Sequence, residues 1–382
     1  MVVLGAVLTP LVTVVPAAAQ GTLSALQTDV DQIARRARTA VVTVFAQRQT
    51  DSGPASDRRM RTRVGSGVAV EESMVLTTAS VVLGADRVQI RTVNGLQVDA
   101  ELVGVDPIFN VAVLRVPSVR LPVLRFAANR GAIGDWVISL GTSYRAQPTQ
   151  SVGNIAYRHA EPGQSLLQLT NTVYPGNSGA AAINTHGELI GIVQGELGSP
   201  ELASGSQERR PGGVSFALAA ETVRPVYESL RRTGRIPHGF LGVTTRAASV
   251  ESDGTGGRST PIGALVQDVV TGGPAEKAGI RRGDLIVAYQ GERVEYPEQL
   301  ARWVAATQPG TLVELVWARD ETGFTGRTAL TESPDPVPAW VARDADRDGI
   351  DPAPVKITEL EHEIRRLSDE LARLKHRSAR PR

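Results

Sequence analysis

A serine between glycines is the sharpest chemical signal in this sequence. Residues 175–179 read Pro-Gly-Asn-Ser-Gly, which places Ser178 on a tight turn where its hydroxyl can be exposed. The backbone N–H groups of Gly176 and Ser178 in such a turn can face the oxyanion that develops during acyl transfer. Turns of this composition are common, so the motif alone leaves both a nucleophile and an ordinary turn open.

A serine nucleophile needs a general base, normally an imidazole that a carboxylate orients. The candidates are the five histidines of the chain: His159, His186, His238, His362 and His376. Their polar surroundings predict solvated loop positions for all five. One alternative stays open, because the loop 159–164 could fold near the serine.

Further blocks accompany the serine turn along the chain, at residues 65–68 (GSGV), 75–82 (VLTTASVV), 103–114 (VGVDP then NVAVL), 134–138 (GDWVI), 213–217 (GVSFA) and 239–243 (GFLGV). In order and spacing the chain resembles the HtrA/Deg serine proteases over about residues 30–330. The resemblance implies a mainly β protein with a trypsin-like double β-barrel followed by a PDZ-like α+β domain.

The catalytic triad that the resemblance implies is incomplete. Ser178 stands at the nucleophile position, but Ser80 stands at the family's histidine position and Asn110 at its aspartate position. A serine cannot take the proton near neutral pH, and an asparagine cannot stabilise an imidazolium. The sequence therefore favours a pseudoprotease. The alternative is an active serine endopeptidase with a non-standard base.

The second domain carries its own motif. Residues 271–286 (TGGPAEKAGIRRGDLI) closely resemble the PDZ signature. The resemblance assigns capture of a peptide C-terminal carboxylate to backbone N–H groups of Phe240, Leu241, Gly242 and Val243, with the peptide added as an edge strand beside a helix near 299–307. A PDZ domain that only packs on its neighbour is the alternative, and the polar insert 249–261 could restrict access to the groove.

Composition excludes several classes of function. Forty-one Lys and Arg against forty Asp and Glu give a net charge of +1, which argues against bulk binding to nucleic acid or to anionic membranes. The chain has no cysteine, so disulfides, a thiol nucleophile and cysteine-ligated metals are excluded. We expect no metal and no cofactor. The run 344–349 resembles the start of a calcium loop, but Val355 stands where the bidentate glutamate belongs.

The elements that must position these residues divide the chain into five segments. We expect a signal peptide or anchor at 1–19, a trypsin-like domain at 20–235, a PDZ domain at 236–330, a linker at 331–355 and a coiled coil at 356–376. Helices are predicted at 22–38, 221–233 and 297–307, a strand at 41–45, and a polar loop or anion-binding patch at 47–63.

The two ends suggest where the protein works and how it assembles. The apolar residues 2–19 end in small residues and resemble a secretory signal, which predicts a periplasmic or secreted protein with membrane contact only through that segment. Six apolar residues form a heptad seam that favours a homo-oligomer: Ile357, Leu360, Ile364, Leu367, Leu371 and Leu374. The expected partners are unfolded or C-terminal protein segments and a partner protease.

Overall fold

The computed structural model describes residues 17–50, 59–197, 214–251, 259–320 and 322–334. The predicted coiled coil at 356–376 and most of the predicted signal segment lie outside these residues. Helix α1 (Ala17–Arg38) comes first. Among the helices of the described ranges, none combines the length and the apolar character needed to cross a membrane.

Six strands form the first barrel: β1 (Val41–Thr50), β2 (Arg59–Glu71), β3 (Met74–Thr77), β4 (Arg87–Arg91), β5 (Gln97–Asp106) and β6 (Val111–Arg115). They close in the order β1-β2-β3-β6-β5-β4, and the short helix α2 (Ala79–Val82) follows β3. Strand β6 is apolar at four successive positions that are all buried, so it lies in the centre of the core.

The prediction of a polar loop at 47–63 is wrong at both ends. The antiparallel pairing of β1 with β2 begins at Val41 opposite Val68 and continues to Thr50 opposite Arg59. Backbone hydrogen bonds between β1 and β2 continue the two strands as a ribbon, although the side chains of this part are polar. Backbone pairing therefore overrides the composition of the segment.

A second set of six strands forms the second barrel: β7 (Trp136–Thr142), β8 (Pro148–Glu161), β9 (Gln164–Leu169), β10 (Ala181–Ile183), β11 (Leu189–Leu197) and β12 (Val214–Ala219). They close in the order β10-β11-β12-β9-β8-β7. Helix α3 (Ala220–Thr233) leaves β12 and buries Val223, Val226 and Leu230 in the core shared with the first barrel. It ends at Gly234, whose φ of 73° is the left-handed geometry of a helix C-terminus. The double barrel predicted from the resemblance is confirmed.

The remaining elements form the PDZ-like unit: β13 (Gly239–Phe240), β14 (Val243–Glu251), β15 (Ser259–Val269), α4 (Pro274–Ala278), β16 (Leu285–Tyr289), β17 (Glu292–Arg293), α5 (Pro297–Ala306), β18 (Leu312–Arg319), β19 (Thr322–Ala329) and β20 (Thr331–Glu332). The main sheet has the order β14-β15-β16-β18-β19, so β14 is an edge strand among the described strands. Strand β20 pairs with β13 and occupies the first two residues of the predicted linker.

Helix α5 joins this unit to both barrels. Glu161, at the end of β8, accepts hydrogen bonds from the side chains of Arg302 and Trp303, each over 3.2 Å. Further along the same C-terminal half of the helix, the Ala305 carbonyl contacts His238, which in turn contacts Asp106 on β5. The same helix therefore packs against the PDZ-like sheet and against the trypsin-like domain.

Candidate active site

The turn that carries Ser178 is built on a buried asparagine. The Asn177 side-chain oxygen accepts a hydrogen bond from the Tyr174 N–H over 2.9 Å. Its amide nitrogen donates to the Thr142 carbonyl over 2.8 Å and to the Thr149 hydroxyl over 2.7 Å. With only 5% of Asn177 exposed, these bonds fix the turn against β7 and β8.

Ser66 ties this turn to the first barrel. Its backbone N–H donates to the Ser178 carbonyl over 2.8 Å. Its hydroxyl donates to the Gly176 carbonyl over 2.8 Å and accepts from the Thr142 N–H over 2.9 Å. Ser66 is fully buried, and its hydrogen bonds hold the two barrels together beside Ser178, the expected nucleophile.

The backbone hydrogen bonds of the turn fix the direction of two of its amides. The Pro175 carbonyl accepts from the Tyr144 N–H over 2.7 Å, and the Asn177 carbonyl accepts from the Ala180 N–H over 2.8 Å. In a trans peptide the N–H points opposite to the carbonyl, so the amides of Gly176 and Ser178 face away from these donors. Neither amide finds an acceptor within the part of the chain that the structure describes. These are the two amides that are expected from the sequence to face an oxyanion.

Ser80 and Asn110, which the resemblance assigns to the other two triad positions, contact each other. Ser80 is on α2, and Asn110 lies in the turn between β5 and β6 with a φ of 52°. The Asn110 side-chain oxygen accepts from the Ser80 N–H over 2.9 Å, which leaves its NH₂ group as the other polar face of that side chain. The Ser80 hydroxyl is bonded to the Thr78 hydroxyl over 3.1 Å.

Helix α2 and the serine turn both approach Gly65. A Cβ at Gly65 would lie 2.9 Å from a Val81 methyl group and 3.2 Å from the Ser178 carbonyl. Val81 follows Ser80 on α2, and Ser80 is bonded to Asn110. Strand β2 therefore needs a glycine here, because α2 and the serine turn approach it from the same side.

Three of the five histidines, His159, His186 and His238, lie within the described residues. His186 is exposed in the turn after β10. His159 lies in β8 rather than in a loop, and its Nε2 lies 3.0 Å from the Gln168 side-chain oxygen. The tip of the β8–β9 hairpin contacts α5, and no described hydrogen bond joins either residue to the Ser178 hydroxyl.

The structure contradicts the sequence prediction for His238. It was expected in a solvated loop, but only 4% of it is exposed, because β5 and α5 close over it. His362 and His376 lie outside the described residues. No group of three acidic or histidine side chains in the described ranges could hold a metal ion.

Arg63 is a site residue that the sequence did not reveal. Its Nη1 donates to the Ser80 carbonyl over 2.7 Å, and its Nη2 donates to the Leu83 carbonyl. Burial lowers the pKa of the Arg63 guanidinium, and the charge of Arg48 lowers it further. Arg63 therefore holds the backbone of α2 in place. The polar composition of residues 47–63 predicts only a loop or an anion-binding patch.

The PDZ-like unit brings the predicted carboxylate loop to the edge of its sheet. The Leu241 carbonyl accepts from the Ala275 N–H, and the Gly242 carbonyl accepts from the Val270 N–H, each over 2.9 Å. The amides of Gly242 and Val243 therefore point away from α4 and β15, towards the open side of β14. Gly242 has a φ of 81°, which favours glycine, and the partly buried Phe240 ring lies beside it.

Comparison with protein families finds two domains in this chain. A model described as a trypsin-like peptidase domain matches residues 65–192. A model described as a PDZ domain matches residues 265–319. The first match contains all three triad positions, and the second begins after the carboxylate loop.

Curated relatives and solved structures agree with these matches. A probable periplasmic serine endoprotease DegP-like from Chlamydia trachomatis is 33% identical over 71% of this chain and 54% of its own length. Its counterpart from Rhizobium meliloti is 33% identical over 77% of this chain and 61% of its own. The chain thus spans between half and two thirds of these relatives.

Among solved structures, a serine endoprotease from Yersinia pestis is 29% identical, with a TM-score of 0.55 over 79% of this chain and 97% of that one. A variant of the HtrA-type protease AlgW with a tripeptide is 25% identical, with a TM-score of 0.57 over 80% of this chain and 98% of that one. These alignments include both the trypsin-like and the PDZ-like parts of this chain.

Proposed function

Because the chain belongs to the HtrA family, with a trypsin-like domain followed by a PDZ domain, we propose that it is a pseudoprotease that binds protein segments or C-termini. It would act as a scaffold or as a regulator of a partner protease. The periplasmic relatives support a periplasmic or secreted location. Membrane contact through residues 2–19 and self-association through 356–376 belong to the same proposal.

The contact between Asn110 and Ser80 carries this proposal. It joins the two residues that the resemblance assigns to the base and acid positions, and neither a serine nor an asparagine can do that work. Loss of the acid alone costs about 10⁴ in rate, and loss of the base about 10⁶. The two losses affect one proton transfer, so their costs need not add.

The open edge of β14 supports peptide binding. An extended peptide can add there as a further strand while its terminal carboxylate accepts from the amides of Gly242 and Val243. The AlgW structure with a tripeptide shows that a related protein binds a short peptide. The peptide would lie beside α5, as the sequence suggests.

One observation favours a second candidate, a serine endopeptidase with a non-standard base. The amides of Gly176 and Ser178 have no hydrogen-bond acceptor among the described residues, which supports a role in stabilising an oxyanion, and Ser178 is partly exposed. Such an enzyme would need a base from outside the described residues or from another molecule.

Hydrolysis of casein and labelling by a fluorophosphonate separate the two candidates. We expect no turnover and no labelling in the wild-type protein, with Ser178→Ala as the matched control. Wild-type turnover that disappears in Ser178→Ala would overturn the pseudoprotease proposal and support an unrecognised base.

A further inference from the structure

A buried ion pair joins the first barrel to the PDZ-like unit. The Nε2 of His238 lies 2.6 Å from a carboxylate oxygen of Asp106, and its Nδ1 lies 3.0 Å from the Ala305 carbonyl oxygen. His238 and Asp106 are 4% and 2% exposed. The ring thus bridges β5 of the barrel and the end of α5.

The two contacts determine the protonation state of the ring. A backbone carbonyl only accepts hydrogen bonds, and so does an ionised carboxylate. A neutral imidazole has a single N–H, so one of the two contacts would then place two acceptors against each other. The imidazolium satisfies both contacts, and its positive charge is neutralised by Asp106.

The described residues around the ring supply no other charge. Phe109 contributes an aromatic ring 6.2 Å from it, α5 contributes the neutral Ala305 carbonyl, and the Ser333 N–H donates to the His238 carbonyl. The nearby pair Arg235–Glu332 lies at the surface. Within the described structure, Asp106 is therefore the ionisable partner of His238.

We propose that His238 is a pH-sensitive latch that holds the PDZ-like unit against the trypsin-like domain when it is protonated and loosens the contact when it is neutral. Burial alone would lower the pKa of His238, but the hydrogen bond and charge of Asp106, with the Ala305 carbonyl, outweigh burial and raise it. The latch therefore holds below the ordinary pKa of about 6.5 and opens as the pH rises through the raised value.

The latch also reaches the candidate active site. The second carboxylate oxygen of Asp106 accepts from the Phe109 N–H over 2.8 Å, and this bond closes the turn that ends at Asn110. A change of charge at His238 therefore acts on the Asp106 carboxylate, which accepts the hydrogen bond that closes the Asn110 turn. The inference does not depend on the proposed function, because docking of the domains can be measured without activity.

The absence of cysteine permits a direct test on the full chain. Spin labels at Asn94→Cys, exposed in the first barrel, and Glu292→Cys, exposed in the PDZ-like unit, report the distance between the domains. Doubly labelled chains are diluted into unlabelled protein, and the ring protons of His238 are followed by NMR. We expect a narrow distance distribution at about pH 5.5 that is lost at about pH 9, in step with deprotonation of His238.

Two variants sharpen this test. His238→Gln cannot carry the charge and is expected to show the broad distribution at every pH, whereas His186→Gln, a change at an exposed histidine, is expected to behave as wild type. A wild-type distribution that stays narrow after His238 loses its proton would overturn the proposal. So would an identical pH response in His238→Gln.

Discussion

The Asn110 side-chain oxygen accepts a hydrogen bond from the Ser80 N–H over 2.9 Å, so the residues at the two positions that the resemblance assigns to the acid and the base are neighbours. Under the proposed function these two side chains lack the chemistry of a base and an acid, while the hydrogen bond between them holds the two positions together. We therefore expect substitutions at these two positions to restore activity.

We expect Ser80→His combined with Asn110→Asp to give casein hydrolysis that depends on Ser178. Ser80→His alone should stay at least about 10³-fold below the double variant, because the Asn110 amide would face the new ring with a donor and favour the wrong tautomer. Initial rates of the single, double and Ser178→Ala triple variants provide the measurement. Equal activity of the single and double variants would contradict this account of Asn110.

Gly179→Ala is expected to destabilise the protein by more than about 3 kcal/mol, since strain adds to a clash with a buried strand. Gly179 has a φ of 87°, and a Cβ there would overlap the Ser66 carbonyl and lie 2.7 Å from the Thr77 hydroxyl. Gly95→Ala is the matched control, because Gly95 has a φ of 84° and nothing within 4 Å of the new Cβ. Urea unfolding of both variants measures the difference, and equal losses would exclude the clash as the cause.

The PDZ-like unit should bind peptides with a free C-terminus at least about tenfold more tightly than the amidated forms, because a neutral amide is a weaker acceptor than a carboxylate. Gly242→Val should remove this preference, since its φ of 81° disfavours valine and the side chain would approach Val270 and Phe240. Fluorescence anisotropy with paired peptides measures both effects. Gly272→Val, at a φ of 74° with open space around it, controls for backbone strain alone.

Stability should depend on pH through His238. Its raised pKa means that the folded state binds the proton more tightly, so the stabilisation is full below the ordinary value of about 6.5 and is lost as pH rises through the folded value. His238→Gln should therefore cost about 1–3 kcal/mol at low pH and less in alkaline solution. Urea unfolding across pH measures the difference, and a difference that does not change with pH would contradict the assignment.

The tail should determine the oligomeric state. Light scattering on the full chain is expected to give a larger mass than on residues 1–350, because the heptad seam lies beyond that point. Leu367→Asp with Leu371→Asp should have the same effect as truncation while keeping the chain length. Identical masses for all three proteins would remove the tail from the assembly.

Local sequence patterns predicted the glycine turns. They did not predict contacts between residues that are far apart in the sequence. Gly176, Gly179, Gly279 and Gly283 all have positive φ, as expected from turns that the sequence marks with glycine. His238 and Asp106 are 132 residues apart, and neither residue carries a local signal for the pair. The same holds for Arg63, because its target is a backbone carbonyl on α2 and no side-chain pattern reports such a contact.

The edge position of β14 has a consequence for the protein without its ligand. An uncovered strand edge is a template on which other chains can pair, and proteins usually protect such edges against aggregation. A bound peptide would cover this edge and remove the template. The unliganded chain is therefore expected to be less soluble at high concentration than the peptide complex, so storage and crystallisation should favour the complex.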